Sequence, residues 1–552
     1  MSKKIVIVGG VAGGASAAAR ARRLSEEADI IVFERDSFIS FANCGLPYHI
    51  GGEIQDRNAL LVQTPESMKA RFNLDIRIRS EVIDIDVQAK TVSVRNLTTG
   101  EEYSETYDDL ILSPGAVPIV PPISGIDSSA VFTLRNIPDM DRIIQKINIE
   151  APRSAVVVGG GYIGIEMAEA LIARGIETTM LELANQIMPP LDPEMAVPLH
   201  QEMRRNGVRL QLNDALEEVA EHDDSVQLSL RSGKKLQTDM VIMAIGVRPE
   251  NSLAKMAGLD IGERGGIRVN DKMQTSVSNI WAVGDAIEVR DFVTGSAAQI
   301  PLAGPANRQG RIAADNILGN SSSYKNTQGT GICKVFDLSA ASTGASEKLL
   351  RAQGATYEKV YVHALDHAGY YPGATQIHLK LLFNPQTGLI LGAQAVGPKG
   401  ADKRIDVLAT AIRGGMTVFD LEEFELCYAP PFGSAKDVVN QAGFVASNVC
   451  RGEHEICHSD DVLNGTDETM LVDVRNSTEI SVLGSIEEAI SIPVNELRDN
   501  LNLLPKDRPL VVFCAVGLRG YVAYRMLTNL GYKVSNLSGG YTTYQMVKRI
   551  GL

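Results

Sequence analysis

Two glycine-rich segments, residues 4–34 and 154–182, read alike. Each opens on a short apolar run (Lys4–Val8, Ser154–Val158) and turns through glycines. Each then enters a helix-forming stretch (Ala15–Leu24, Ile163–Arg174) and closes on a second apolar run ending in glutamate (Asp29–Glu34, Glu177–Glu182). Apolar runs without alternation fit strands buried on both faces of a parallel sheet. Glycines at the first turn of a strand–helix–strand unit let backbone amides and the helix N-terminus approach an anion. A chain with two such units is expected to be of the α/β class and to bind two dinucleotides.

The second unit carries Gly159-Gly160-Gly161-Tyr162-Ile163-Gly164, a full GxGxxG. Gly159 is read as the tight turn, Gly161 as the close approach to the pyrophosphate, and Gly164 as the helix–strand packing position. Glu182 follows 18 residues after Gly164. A carboxylate there accepts from a ribose 2′-hydroxyl and repels a 2′-phosphate, which favours NADH over NADPH. In the first unit, Val8-Gly9-Gly10-Val11-Ala12-Gly13-Gly14 is read with Val8 in the first glycine place and Gly10 and Gly13 in the later two. Glu34 then stands in for Glu182. A later strand, Ile280–Val283, delivers Gly284 and Asp285 to a turn where the carboxylate can accept from a ribityl hydroxyl.

The chain has 552 residues, enough for about three or four domains. The boundaries are read as 1–150 with 240–320, 151–239, 330–447, a linker at 448–467, and 468–552. Its net charge of −14 argues against a nucleic-acid or anionic-membrane binder. No apolar stretch reaches the ~18 residues of a membrane span, and Ile5–Val8 ends too soon for a signal peptide. Six cysteines are too few for a disulfide scaffold in such a chain. A thiol chemistry in the cytoplasm is expected.

The two units, Leu112-Ser113-Pro114-Gly115, Gly246-Val247-Arg248-Pro249 and Gly284-Asp285 together resemble the pyridine nucleotide–disulfide oxidoreductases. That resemblance covers about 1–445. It implies two Rossmann-like domains for FAD and NADH followed by an α+β domain that forms a homodimer. Cofactor contacts are expected from Gly10, Ala12, Gly13, Glu34, Arg35, Asn43, Gly115, Gly246, Gly284, Asp285 and Ala303 for the flavin, and from Gly159, Gly161, Gly164 and Glu182 for the nicotinamide cofactor.

Ser40-Phe41-Ala42-Asn43-Cys44-Gly45-Leu46-Pro47-Tyr48 follows the first unit. Ile39 and His49 stand where a C-x4-C dithiol would need a second cysteine. Cys44 must therefore cycle as a sulfenic acid or a mixed disulfide. At a helix start it is expected to have a lowered pKa. The Ser-Phe-x-x-Cys pattern is similar to the single-cysteine subgroup of NADH oxidases, NADH peroxidases and coenzyme A–disulfide reductases. The first glycine loop lacks the histidine of the peroxidase type. Tyr370 and Tyr428 match the coenzyme A–disulfide reductase pattern, where they reach the partner subunit's cysteine; Tyr371 competes with Tyr370 for the role. The same resemblance assigns coenzyme A contacts to Ser16, Arg20, Arg23, Ser40, Asn43 and Lys436, with Arg71 a further basic candidate. Phe72 stands where the family has a lysine.

Near the C-terminus, the apolar strand Leu510–Phe513 leads into Cys514-Ala515-Val516-Gly517-Leu518-Arg519-Gly520 and then a helix. Loop amides can surround a sulfur anion on Cys514, and Arg519 can add charge. With Asp473-Val474-Arg475, residues 468–552 resemble a rhodanese domain of α/β fold, which implies that Cys514 carries persulfide. Cys450, His454, Cys457 and His458 lack the spacing of paired zinc ligands, and no metal is assigned. Cys333 and Cys427 read as packing residues. The expected activity is FAD-dependent reduction of coenzyme A disulfide, coenzyme A persulfide or polysulfide by NADH in a homodimer with a shared active site. The alternatives are an NADH oxidase or peroxidase with a passenger rhodanese domain, and a redox or sulfur-delivery partner protein.

Overall fold

The computed structural model describes residues 2–222, 225–465 and 468–550. The chain divides into two compact units, Met1–Leu181 with Asp214–Gly329, and Glu182–Asn213 with Thr330–Leu552.

The first unit holds two parallel sheets. One runs Ile280–Ala282, Asp109–Leu112, Lys4–Val8, Asp29–Phe33, Asp75–Arg77. Its central residues Ile5, Val6, Ile7, Leu110, Ile111 and Leu112 are fully buried, as strands covered on both faces require. Trp281 packs there and donates its Nε1–H to Asp109 at 2.8 Å, which satisfies the polar edge of the ring. The helices Ala12–Leu24 and Ala303–Ile317 cross so closely that a Cβ on Gly310 would overlap the carbonyl of Gly13.

The other parallel sheet contains Glu177–Leu181, Ser154–Val158, Met240–Met243 and Val131–Thr133 in that order. The expected boundaries gave the last two strands to the first domain; the pairing corrects that. Met240–Met243 is buried along its whole length and lies parallel to Ser154–Val158, on the side that Glu177–Leu181 leaves uncovered. The unit also holds two three-stranded antiparallel sheets, Ser80–Asp86 with Thr91–Asn96 and Glu102–Thr106, and Leu216–His222 with Ser225–Leu230 and Lys235–Thr238.

The second unit has a five-stranded antiparallel sheet ordered Gly331–Val335, Leu338–Gly344, Ile390–Gly397, Gln376–Phe383, Glu358–Leu365. Lys380 is fully buried in it, with its ammonium 2.9 Å from Asp192, 2.5 Å from Glu194 and 2.6 Å from Glu347. A buried ammonium alone would lose its proton; three carboxylates keep it charged. Burial works against the charge on Glu347, but Lys380 and Lys359 prevail and hold its carboxyl well below the ordinary range.

A parallel sheet follows, ordered Ile456–Cys457, Val534–Leu537, Leu510–Phe513, Met470–Asp473, Ile490–Ser491. Of the expected linker 448–467, the described part 448–465 is built into the fold. Cys450 ends the helix Val438–Cys450, Ile456 and Cys457 pair with Asn536 and Leu537, and Ser459–Leu463 is helical. His454 is buried against the rings of Tyr521 and Tyr524, so a residue that reads as polar linker is part of the packing. Residues 466 and 467 of that segment, and 551 and 552 of the expected rhodanese segment, lie outside the described residues. His363 pairs with Thr543 at 2.7 Å and His458 with Glu358 at 2.9 Å, tying the strand Glu358–Leu365 to the C-terminal α/β part.

Candidate active site

The two glycine turns superpose strand end on strand end, and this corrects the reading of the first. Gly9 and Gly159 directly follow their strands, have φ of 97° and 109°, and each donates its N–H at 2.8 Å to the end of the neighbouring strand. A Cβ on Gly14 would overlap the Gly9 carbonyl, just as one on Gly164 would overlap that of Gly159. The fingerprint is therefore Gly9-x-Val11-x-x-Gly14. The replaced glycine is the second, at Val11, and Gly9 and Gly14 are the site residues missed. Aligning Val8 with Val158 would have found them. Gly13 instead packs against Ser113 and Val283, and Gly10 donates to Glu34 at 2.8 Å. Asp36 N–H donates to the other Glu34 oxygen at 2.9 Å, which fixes that carboxylate.

Around this turn the fold gathers segments far apart in sequence. A Cβ on Gly9 would overlap Ser113 O, and one on Gly284 would touch Ala306 and Ser113. Gly115 has a positive φ of 75°, with Arg135 donating to Pro114 O at 2.9 Å beside it. Gly246, with φ of 118°, accepts from Ile119 N. Burial lifts the Asp285 carboxyl to about 6 against the pull of Arg135. Ala12 is half-buried, and Arg35 and Ala303 are exposed. Glu182 accepts from Ala184 N–H at 2.8 Å.

Cys44 sits in the one-turn segment Asn43–Gly45 that runs directly into the helix Leu46–Gly51. Ser40, at φ of 43°, bends the chain into this turn and is held by its N–H to Gly10 O at 2.9 Å. Asn43 Oδ1 accepts the Cys44 N–H at 3.0 Å and lies 3.6 Å from its Sγ. Cys44 is an exposed, free thiol. The expected lowering of its pKa is not found. Crowding by protein pushes the thiol up, the charges of Glu166 and Asp285 push it further, and its own backbone amide pulls the other way. A helix of six residues offers too little field to reverse this.

The residues expected to hold coenzyme A divide. Arg20 is paired with Asp315 at 2.6 Å and Ser16 donates to Asn307 at 2.7 Å. Arg23 is exposed and lies over the Phe72 ring, so the residue in the missing lysine's place supports its neighbour. Arg71 is exposed in the first unit and Lys436 in the second. In the second unit Tyr370 and Tyr428 meet hydroxyl to hydroxyl at 3.1 Å, 75% and 51% exposed. Tyr371 turns away and stands edge-on to His367, which favours Tyr370 for the paired role. Cys427 is exposed rather than packed, whereas Cys333 is buried.

Cys514 is buried, and Gly517 N–H donates to its sulfur at 3.2 Å. Gly517 reaches this position with φ of 102°. Arg519 is gripped by both oxygens of Glu479 at 2.6 and 2.7 Å and also reaches Cys514. Glu479 had no sequence signal: it lies 40 residues from Arg519 on the helix Ser477–Leu483. Cys450 and the histidines of the segment 450–458 serve packing and pairing. Among the described residues the one close group of metal-type ligands is Asp192, Glu194 and Glu347, which surrounds Lys380.

A family model for pyridine nucleotide-disulphide oxidoreductases matches residues 3–310, and the model for their dimerisation domain matches 330–438. The chain belongs to the pyridine nucleotide-disulphide oxidoreductase family. A rhodanese-like domain model matches 459–546, so this family member carries a further module. A coenzyme A disulfide reductase of Staphylococcus aureus (strain JH9) is 39% identical over 444 residues, covering 80% of this chain and 99% of that protein. The crystal structure of reduced Bacillus anthracis CoADR-RHD is similar at a TM-score of 0.97 and 54% identity, over 99% of this chain and 98% of that one. An NAD-dependent persulfide reductase from A. fulgidus matches at a TM-score of 0.92 and 37% identity, over 98% and 100%.

Pyridine nucleotide-disulphide oxidoreductases use FAD and a pyridine nucleotide. The residues present fit both groups. The helices Ala12–Leu24 and Tyr162–Ala173 begin at Val11 and Gly161 without a side-chain cap, each with its N-terminus at a glycine turn, as an anion-binding helix start requires. A Cβ at Gly161 or Gly304 would meet nothing within 4 Å, so the backbone borders open space there. No helix among the described residues is long and apolar enough to cross a membrane.

Proposed function

We propose that this enzyme uses NADH to reduce coenzyme A disulfide and coenzyme A persulfide at Cys44, with Cys514 carrying sulfane sulfur. The observation that carries the reading is that Cys44 is a free, exposed thiol fixed on a strained turn, without a second cysteine in its segment. FAD, when bound, supplies the electron pair drawn from NADH. Cys44, as thiolate, attacks one sulfur of the substrate; the S–S bond breaks, a Cys44–sulfur bond forms, and a thiolate leaves with the electron pair; two-electron reduction of the new bond then frees the second thiolate and restores the Cys44 thiolate. The leaving thiolate needs a proton or hydrogen bond, which the exposed Tyr370–Tyr428 pair of a second copy provides in the homodimer we infer. Arg23 and Arg71 are the exposed cations we assign to the anionic end of coenzyme A.

The second thiol has a different role in this reading. Cys514, as thiolate, attacks the outer sulfur of a sulfane donor such as a persulfide or thiosulfate; the donor's S–S bond breaks, its thiol or sulfite leaves with the electron pair, and the new persulfide's negative charge rests against loop amides and Arg519. The relatives named for coenzyme A disulfide and for persulfide reduction support both halves. Anaerobic NADH oxidation by the holoenzyme, offered coenzyme A disulfide and coenzyme A persulfide in turn with hydrosulfide quantified, tests the reading. Both substrates should turn over, and hydrosulfide should appear only with the persulfide. No anaerobic turnover with either sulfur substrate, while an aerobic control oxidises NADH with oxygen, contradicts it.

A further inference from the structure

Cys44 does not stand alone. The helix that leaves it, Leu46–Gly51, lies along one face of the helix Tyr162–Ala173 and the residue after its end. Tyr48 donates its hydroxyl to Glu166 at 3.2 Å, a Cβ on Gly51 would be 3.2 Å from Ala170 Cα, and Arg174 donates Nε–H to Ile50 O at 2.6 Å. Residues 166, 170 and 174 are successive turns of one helical stripe. The stripe fixes the Cys44 segment against the second dinucleotide helix, and Glu166 is the ionisable group at the end where Tyr48 and Cys44 lie. Nothing in the cycle above uses it.

We propose that Glu166 is a positioning residue that sets the thiol–thiolate balance of Cys44, with Tyr48 as the hydrogen-bond donor that tunes it. The inference rests on Cys44 being the redox thiol. Burial carries the Glu166 carboxyl to about 7; the Tyr48 hydrogen bond pulls it down and the charge of Glu169 pushes it up. Protonated, Glu166 removes a negative charge from the surroundings of Cys44 and the thiolate is favoured. Ionised, it favours the thiol. The same charge is among those that push Cys44 up.

Other groups act on the pair. His49 on the Cys44 helix binds Ile54 O at 2.6 Å through Nδ1, so it is turned into its own loop. Glu169 neighbours Glu166 on the opposing helix, and Arg174, two turns further along, is taken by Ile50 O. Asp285, lifted to about 6 by burial and opposed by Arg135, adds a second negative charge toward Cys44 near neutral pH. Two carboxyls titrating close to neutrality beside one thiol give it a pH response broader than a single group has.

The test is the pH dependence of Cys44 alkylation in reduced, desalted holoenzyme, using iodoacetamide and peptide-resolved mass spectrometry. E166Q removes the charge and should lower the apparent pKa of Cys44 by about one unit, raising alkylation at pH 7 several-fold. Y48F removes the bond that keeps Glu166 acidic, so the inflection near 7 should move upward. An E166Q profile that overlays the wild type, or one displaced upward, overturns the proposal. If E166Q does not fold, an unmoved inflection in Y48F overturns it alone. Failure of the redox role of Cys44 is read separately, as NADH-dependent turnover surviving in Cys44→Ser, which leaves the alkylation result unaffected.

Discussion

Cys44 and Cys514 are both free thiols, and the chain surrounds them with opposite chemistry. Cys44 is exposed, raised on a turn bent at Ser40, and faced by the carboxylates of Glu166 and Asp285. Cys514 is buried, lies under a loop amide, and shares Arg519 with Glu479. A negative surround makes a thiolate costly and keen to share its electrons, which suits attack on a disulfide. An amide N–H and a guanidinium directed at the sulfur suit a loop that holds a transferred sulfur atom. The difference lies in the neighbours and not in the cysteines.

The comparison breaks most directly by removing each sulfur. Cys44→Ser should lower NADH-dependent reduction of coenzyme A disulfide on the order of a thousandfold or more, measured anaerobically. Cys514→Ser should lose sulfur transfer from thiosulfate by a similar order, and far less of the disulfide activity. A next-largest effect is expected at the turn that closes the Cys514 loop. Gly540 has φ of 62°, a Cβ there would overlap Cys514 O, and Tyr541 N–H donates to that oxygen at 2.8 Å. Gly540→Ala should destabilise the C-terminal part by about 2 kcal/mol or more, read by thermal melting, and reduce sulfur transfer with it. Ser40→Gly, at the strained turn before Cys44, should change stability by no more than about 1 kcal/mol, because relief of strain is offset by added chain entropy.

The smallest effect concerns the clamp on Arg519. Arg519 holds the Glu479 carboxyl down to about 2, chiefly by their hydrogen bonds. A lowered carboxyl contributes stability that is fully present above its ordinary value, near pH 4.3, and is lost as pH falls through about 2. Wild type should therefore lose more stability than Glu479→Gln between pH 4.5 and 2, by a small margin, since the pair is partly exposed. Equal acid limbs in the two unfolding curves would separate Arg519 from this clamp.

Much of the fold was legible because buried parallel strands leave uninterrupted apolar runs. Lys4–Val8, Ser154–Val158 and Leu510–Phe513 all form as read. The first glycine turn was read one residue out of register, because Gly9-Gly10 and Gly13-Gly14 each offer two candidates and only the strand end decides between them. Val131–Thr133 was invisible as a partner of Met240–Met243, since a three-residue strand carries little pattern and the pairing spans more than a hundred residues. Polar residues hid the order in 448–465, where His454 and His458 spend their polarity on Asn536 and Glu358. Cys44 and Cys514 were singled out by their motifs and the resemblances those motifs carry. Glu166, Tyr48 and Glu479 were not, because a carboxyl's environment is made by other elements of the fold.

The division of labour between the two thiols is tested most directly by one anaerobic assay of NADH oxidation with coenzyme A disulfide, run on wild type, Cys44→Ser and Cys514→Ser holoenzymes with equal FAD content. The account predicts that Cys44→Ser is inactive while Cys514→Ser still turns over the disulfide. Activity retained in Cys44→Ser, or lost equally in both variants, would contradict it.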